Sequence, residues 1–166
     1  GQCDVGFAEA TFEHAAVRVE LMPKAPYVAI LPQEHRLARK ARLRPRDFEG
    51  ENFVSLGSSG LSRFRIDRMF TEHGVNRVLR IETPLSEMAC ALVASGVGVA
   101  LCEPFTAYEY ATRGIVVRPF EPRIEFEFAA LYAAAQRTPL LAREFIDGFR
   151  AHVVEFLRKE TRRPRS

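Results

Sequence analysis

The sequence predicts an α/β protein built as two lobes. Between residues 52 and 120 strand-like and helix-like segments alternate, which is the pattern of a doubly wound α/β lobe. Strand-like segments at 3–8, 17–31 and 126–134, and a long final helix, fall outside that alternation and need a second place to pack. The stretch from Arg80 to Pro104, RIETPLSEMACALVASGVGVALCEP, reads as one complete βαβ unit. The expected division is residues 1–31 with 126–166 in a first lobe and 32–125 in a second. Crossovers fall near 32–48 and 120–125. A length of 166 residues suits one domain or two small lobes.

Each element has a local reason. CDVGFA at 3–8 reads as a buried strand, Val17 to Met22 as a weakly alternating one, and Tyr27 to Leu31 as a third, closed by Pro32. From Arg36 to Arg46 the chain carries six basic residues, no acid and no apolar period, so an exposed connection is expected. Asn52 to Leu56 is a strand, and Gly57, Ser58, Ser59 and Gly60 form a small polar turn. The helix that follows places Ile66, Met69, Phe70 and His73 on one face, and Gly74 closes it. Val75 to Glu82 contains the next strand.

In the βαβ stretch Thr83 suits an N-cap, and Pro84 then falls at the first helical position, where its missing N–H costs nothing. Leu85, Met88, Ala89, Leu92 and Val93 follow one helical face, and Gly96 ends it in a left-handed conformation. Val97 to Cys102 is almost wholly apolar, as a parallel strand covered on both faces would be. Phe105 to Ala111 reads as a short helix and Gly114 to Phe120 as a strand. Thr138–Pro139 starts a helix to about Leu157 with Phe145, Phe149, Val153 and Phe156 as its core stripe. The tail from Arg158, with five basic residues against one acid, should fray.

Composition narrows the class. At 47% hydrophobic and 27% charged residues the chain is globular, and a net charge of +3, not gathered into one patch, is weak grounds for a nucleic-acid partner. Cys3, Cys90 and Cys102 have neither metal-ligand nor redox spacing, and Cys90 and Cys102 sit on apolar segments as free thiols. A reducing, cytoplasmic setting is expected. His14, His35, His73 and His152 match no metal spacing. No nucleophile elbow, phosphate loop, paired-carboxylate motif or membrane-length apolar run appears. No catalytic residue, cofactor or metal is therefore expected, and no membrane.

Taken in order, several pieces resemble one family. They are CDVGF; YVAILPQEHRLA with Pro32, His35, Leu37 and Ala38; LRPRDF with Asp47 and Phe48; RFRIDRMF; IETPLSEMACALVASGVGVALCEP; and a final helix containing FIDGF. The chain is similar to the effector-binding domain of LysR-type transcriptional regulators, which share the two-lobed fold of type 2 periplasmic binding proteins. That resemblance implies a small-molecule effector held in the cleft between lobes, and a homo-oligomer, dimer or tetramer, in the parent protein. DNA would be bound only through a helix-turn-helix domain that this chain lacks. It also implies that two strands and two helices of the first lobe normally precede CDVGF. On that expectation the second lobe is complete and the first is not. An open sheet edge should then favour pairing with another copy.

Candidate ligand contacts follow from the same reading. Two helix N-termini, one after Gly60 and one at Pro84, offer backbone N–H groups to a small anion such as a carboxylate. By resemblance, the family's ligand-contacting hydroxyls fall at Ser59, or its neighbour Ser58, and at Thr83. The same hydroxyls are ordinary caps, and the two roles are compatible. From the first lobe Ala8, Glu9 and Ala10 should face these turns. Glu9 there, or Glu103 at the end of the next strand, could meet an amine, which points to an amino-acid-like effector; simple surface solvation is the alternative for both. A periplasmic solute-binding protein of the same fold is the rival reading. An enzyme on this fold would need charged active-site clusters that the sequence does not display.

Overall fold

The computed structural model describes residues 3–9, 14–57 and 60–162. In chain order the strands are β1 (Gly6–Glu9), β2 (Val17–Leu21), β3 (Ala25–Pro26), β4 (Val28–Pro32), β5 (Asn52–Leu56), β6 (Val78–Thr83), β7 (Ala100–Cys102), β8 (Ile115–Pro119), β9 (Glu125–Phe126) and β10 (Phe128–Ala133). The helices are α1 (Leu61–Glu72), α2 (Ser86–Ala94), α3 (Pro104–Glu109) and α4 (Leu140–Arg162), with 3₁₀ turns at Arg36–Arg39, Pro45–Phe48 and Tyr110–Thr112. Two compact units result: residues up to Ala25 with those from Phe126, and Pro26–Glu125.

The larger unit is organised by β5. It pairs in parallel with β6, from Asn52 opposite Val78 to Leu56 opposite Thr83. On its other side the Val54 N–H donates to the Val99 carbonyl at 2.9 Å, and the Val99 N–H donates to the Asn52 carbonyl at 2.8 Å. This bridge joins the parallel pair to an antiparallel trio in which β4 lies between β7 and β8. The strand expected over 97–102 is therefore not parallel throughout. Only Val99 meets β5 in parallel; Ala100–Cys102 runs antiparallel to β4. Nor does β4 stay with the first lobe, where the sequence reading put residues up to 31. Its Ala29, Ile30 and Leu31 are fully buried, and a strand apolar on both faces needs a neighbour on each edge.

Strand alternation divides the core. Val54 packs with Ile30, Ala89, Cys90, Val93 and Ala100 in the cluster under α2. Phe53 points the other way, with ring centroids 6.1 Å from Phe48 and 5.7 Å from Phe70. Phe120 closes this second cluster at 5.7 Å from Phe48. Ser62, Ile66, Met69 and Phe70 are the buried residues of α1; His73, expected on the same face, is instead its exposed C-cap, and Gly74 adopts φ 62° just beyond it. Ile66, Met69 and Phe70 match the expected helical period, and Gly74 the expected stop.

Three local expectations are corrected. The basic connection at 36–46 is not a bare linker: Leu37, Ala38 and Pro45 are buried in two 3₁₀ turns, Leu43 is buried between them in a bridge to Phe120, and the cations point outward to Glu51, Asp47 and Glu121. Short turns hide apolar residues at spacings that an α or β period does not register. The N-cap of α2 is Leu85, two residues later than expected, so Leu85 has extended backbone and its side chain leaves the helical face. The buried stripe is Ala89, Cys90 and Val93, whereas Leu85 and Met88 are exposed. Gly96, at φ 80°, does end that segment in the left-handed region.

In the smaller unit β10 lies between β1 and β2, antiparallel to both. The strand β1 is not buried as expected, since Phe7 is 45% exposed. Its ring packs 5.1 Å from Phe149 of α4, and Phe128 lies 6.4 Å from the same ring. Ile146 and Val153 are the deeply buried residues of α4, and Phe145 is exposed. The helix continues through Arg162 instead of fraying from Arg158, with Lys159 paired to Glu155 at 2.6 Å one turn earlier.

Two glycines test this packing. A Cβ at Gly98 would lie 2.3 Å from the Asn52 carbonyl oxygen, inside the bridge that joins β5 to Val99. Gly98→Ala is expected to cost about 1–3 kcal/mol in urea unfolding through overpacking. Gly148, inside α4 with nothing within 4 Å of its Cβ position, should gain up to about 1 kcal/mol on replacement by Ala.

Candidate functional site

The parallel register of β5 and β6 sets Leu56 beside Thr83, so both strands end on the same edge of the sheet. Val99 runs parallel to β5, so the chain leaving β7 at Glu103 exits on that edge too. From this edge α1 and α2 start. A Cβ built on Gly57 would lie 3.4 Å from the Pro84 Cα, so the turn after β5 runs close beside the turn after β6. The first N–H groups of a helix lack intrahelical acceptors and carry the positive end of its dipole. Two such ends are thus gathered at one place by backbone pairing alone.

A charged network underpins the edge. The Arg63 guanidinium, on the first turn of α1, donates to the Leu56 carbonyl at 3.1 Å, to Glu82 at 2.9 Å and to Asp67 at 2.5 Å. It therefore ties the end of β5 to the end of β6. Burial works against its charge, but the carboxylates of Asp67 and Glu82 more than offset this and raise its pKa. Asp67 also accepts from Arg77. The Arg77 side chain is only 8% exposed, its guanidinium lying 4.7 Å from the centre of the Phe53 ring and 4.4 Å from that of Phe70. Burial depresses its pKa, and the Asp67 charge opposes the shift.

The expected ligand residues are placed as follows. Thr83 is 5% exposed, and its hydroxyl accepts from the Leu85 N–H at 3.3 Å, so it braces the turn from just outside the helix instead of serving as its N-cap. Pro84 lies between that turn and Gly57. Ser58, Ser59 and Ala10 lie outside the described residues. Glu9 ends β1 opposite Phe128 in the other unit and is half-buried. Glu103 is buried, and its carboxylate accepts from the Thr106 N–H at 3.1 and 3.3 Å as the N-cap of α3. Sequence reasoning passed over Arg63, Asp67, Arg77 and Glu82. Arg63 and Asp67 were detectable as an i, i+4 pair on a helix. The link to Glu82 and Arg77 depends on how α1 packs beside β6.

Cys90 and Cys102 are buried free thiols, as expected, with their sulfurs 3.9 Å apart. The hydrogen bond with Cys90, burial and the nearby Glu103 charge together push the Cys102 thiol well above its ordinary pKa. Among the described residues no group of His, Cys, Asp and Glu could hold a metal ion.

Helix N-termini collected at the carboxyl edge of a sheet are the geometry of an open α/β ligand-binding domain. The sequence matches the LysR substrate binding domain over residues 1–154, and the chain belongs to that family. It is 36% identical over 143 residues to the transcriptional activator protein LysR of Escherichia coli K12, covering 86% of this chain and 46% of that protein. It is 32% identical over 142 residues to the regulatory protein NocR of Agrobacterium tumefaciens T37, covering 86% of this chain and 47% of NocR. The chain thus spans about half the length of the curated relatives it matches. Among solved structures, the CcmR regulatory domain of Synechocystis PCC6803, in complex with 2-PG, superposes with a TM-score of 0.72 at 18% identity, over 90% of this chain and 73% of that one. The α/β, periplasmic-binding-protein-like fold is accordingly the family's, and the sequence relatives are transcriptional regulators, not enzymes. No helix among the described residues is long and apolar enough to cross a membrane.

Two outcomes check the site's internal chemistry. Only the exposed Cys3 should react quickly with a thiol reagent at pH 8, with Cys90 and Cys102 reacting on unfolding, because a buried thiol held in its neutral form is a poor nucleophile. Asp67→Ala should lower stability by about 2 kcal/mol in urea unfolding, because it strands the buried Arg77 cation; the figure is discounted because Asp67 is itself partly exposed.

Proposed function

We propose that this chain is the effector-sensing domain of a bacterial LysR-type transcriptional regulator, and that it takes a small organic anion at the edge formed by Thr83, Pro84 and the N-termini of α1 and α2. The observation that carries this reading is the parallel register of Leu56 with Thr83 and the close approach of the Gly57 and Pro84 turns, which bring two positive helix ends to one place. The Thr83 hydroxyl accepts from Leu85 and has its own proton left to donate to an anion. The CcmR regulatory domain, of the same fold, holds a small molecule, 2-PG. Ser58 and Ser59, between β5 and α1 in the sequence, belong to the same reading. So does an amine on the effector, with Glu9 or Glu103 as its partner. In the parent protein DNA would be engaged through a separate helix-turn-helix domain, in the cytoplasm. Effector binding would act by preferring one of two arrangements of the oligomer.

Self-association has a candidate surface in the larger unit. Val78, Leu79 and Ile81 of β6 are exposed, as is Phe64 of α1, and β6 pairs only with β5 among the described residues. An exposed apolar edge strand of this kind is a natural place for a second copy.

A thermal-shift screen of amino acids and aromatic and aliphatic carboxylates should yield at least one compound that raises Tm. Thr83→Val should weaken binding of that compound roughly tenfold, as expected for losing a hydrogen bond to a charged group. No response to any carboxylate, or unchanged affinity in the variant, would remove the anion reading. Leu79→Lys together with Ile81→Lys should shift sedimentation toward the monomer; an unchanged distribution would argue against β6 as the contact.

A further inference from the structure

The smaller unit contains a second concentration of positive charge that the effector reading does not use. A surface cavity of about 550 Å³ opens between β2, the loop after β10 and the start of α4. Arg18, Arg137 and Arg143 line it, together with Gln136, Thr138 and Leu140, and among the described residues no carboxylate does. The Arg18 guanidinium is held in place. It donates to the Thr138 hydroxyl at 2.6 Å and lies 4.8 Å from the centre of the Tyr132 ring, its cross-strand neighbour. Backbone bonds hold the loop as well, from Ala134 N–H to the Ala16 carbonyl at 2.9 Å and from Gln136 N–H to the Ala133 carbonyl at 3.3 Å. The nearest acid on β2, Glu20, is paired with Arg150 instead. Arg137 and Arg143 form no ion pair among the described residues.

We infer that this cavity is a site for a small organic phosphate. Three like charges around one hollow repel one another, and an anion of matching charge relieves that repulsion. A carboxylate would leave two charges unbalanced. A phosphate monoester carries about two negative charges and three terminal oxygens, which suit the planar donor forks of arginine better than a single ammonium would. The cavity is larger than a phosphate group, and Leu140 with Ala134 and Ala135 gives an apolar wall for the organic part. The site lies in the other unit from Thr83 and stands or falls separately from the effector reading.

Isothermal titration calorimetry of the chain with phenyl phosphate, with benzoate as the singly charged control, tests this. Phenyl phosphate should bind once per chain and about tenfold tighter than benzoate. Arg137→Gln with Arg143→Gln, both exposed and so without effect on folding, should weaken it at least roughly tenfold. Thr83→Val should leave it unchanged. Absence of binding, equal affinity for the two anions, an unaffected double variant, or loss in Thr83→Val alone would each overturn the assignment.

Discussion

The larger unit depends on the pair of backbone hydrogen bonds between β5 and Val99. They weld a parallel pair of strands to an antiparallel trio and so make one sheet with two usable faces. Without them Val54 would lose the cluster beneath α2, and Phe53 would lose its place among Phe48, Phe70 and Phe120. The approach is close enough that position 98 tolerates no side chain. The residue is glycine because the neighbouring strand is too near, not because of an unusual φ.

The same pairing generates the site. A parallel strand pair places both carboxyl ends together, and each strand is followed by a helix, so two positive helix ends converge without any side chain arranging them. Side chains then fix the detail. Arg63 holds the two strand ends to each other, and Thr83 sets the entry into α2. Arg77, wedged between aromatic rings and answered by Asp67, links this network to the core. A partly exposed carboxylate can matter this much because its partner is nearly buried, so the cost of separation falls on the buried member. The arginines around the Arg18 cavity differ in kind. They are surface groups that form no ion pair among the described residues, and the proposed phosphate would be their counter-charge.

Much of this was legible along the chain wherever one element's own period carried the signal. The strand at 52–56, the helix face of Ile66, Met69 and Phe70, and the left-handed glycines at 74 and 96 all lie where local pattern placed them. The ordered motifs that pointed to the LysR family proved sound. Misreadings arose where burial was decided by partners distant in sequence. Leu85 and Met88 fit an apolar helical face yet are exposed, because α2 starts later and turns Ala89, Cys90 and Val93 to the sheet. Leu37, Ala38 and Leu43 vanished among basic neighbours, and only their docking shows that they are core.

By itself, then, the sequence determined the element types, the order in which they alternate and the family to which the chain belongs, since propensity, caps and spacing are properties of short segments. The tertiary structure alone decided which strands run parallel, that β4 lies between β7 and β8, and that Arg63 reaches across from α1 to Glu82. Those facts depend on pairing energies between segments tens of residues apart, where the cost of closing the loop changes little with its length and many pairings are open to the same local pattern. The βαβ stretch from Arg80 to Pro104 shows both halves: its turns and helix could be read from the chain, while the antiparallel course of its last strand was set by β4.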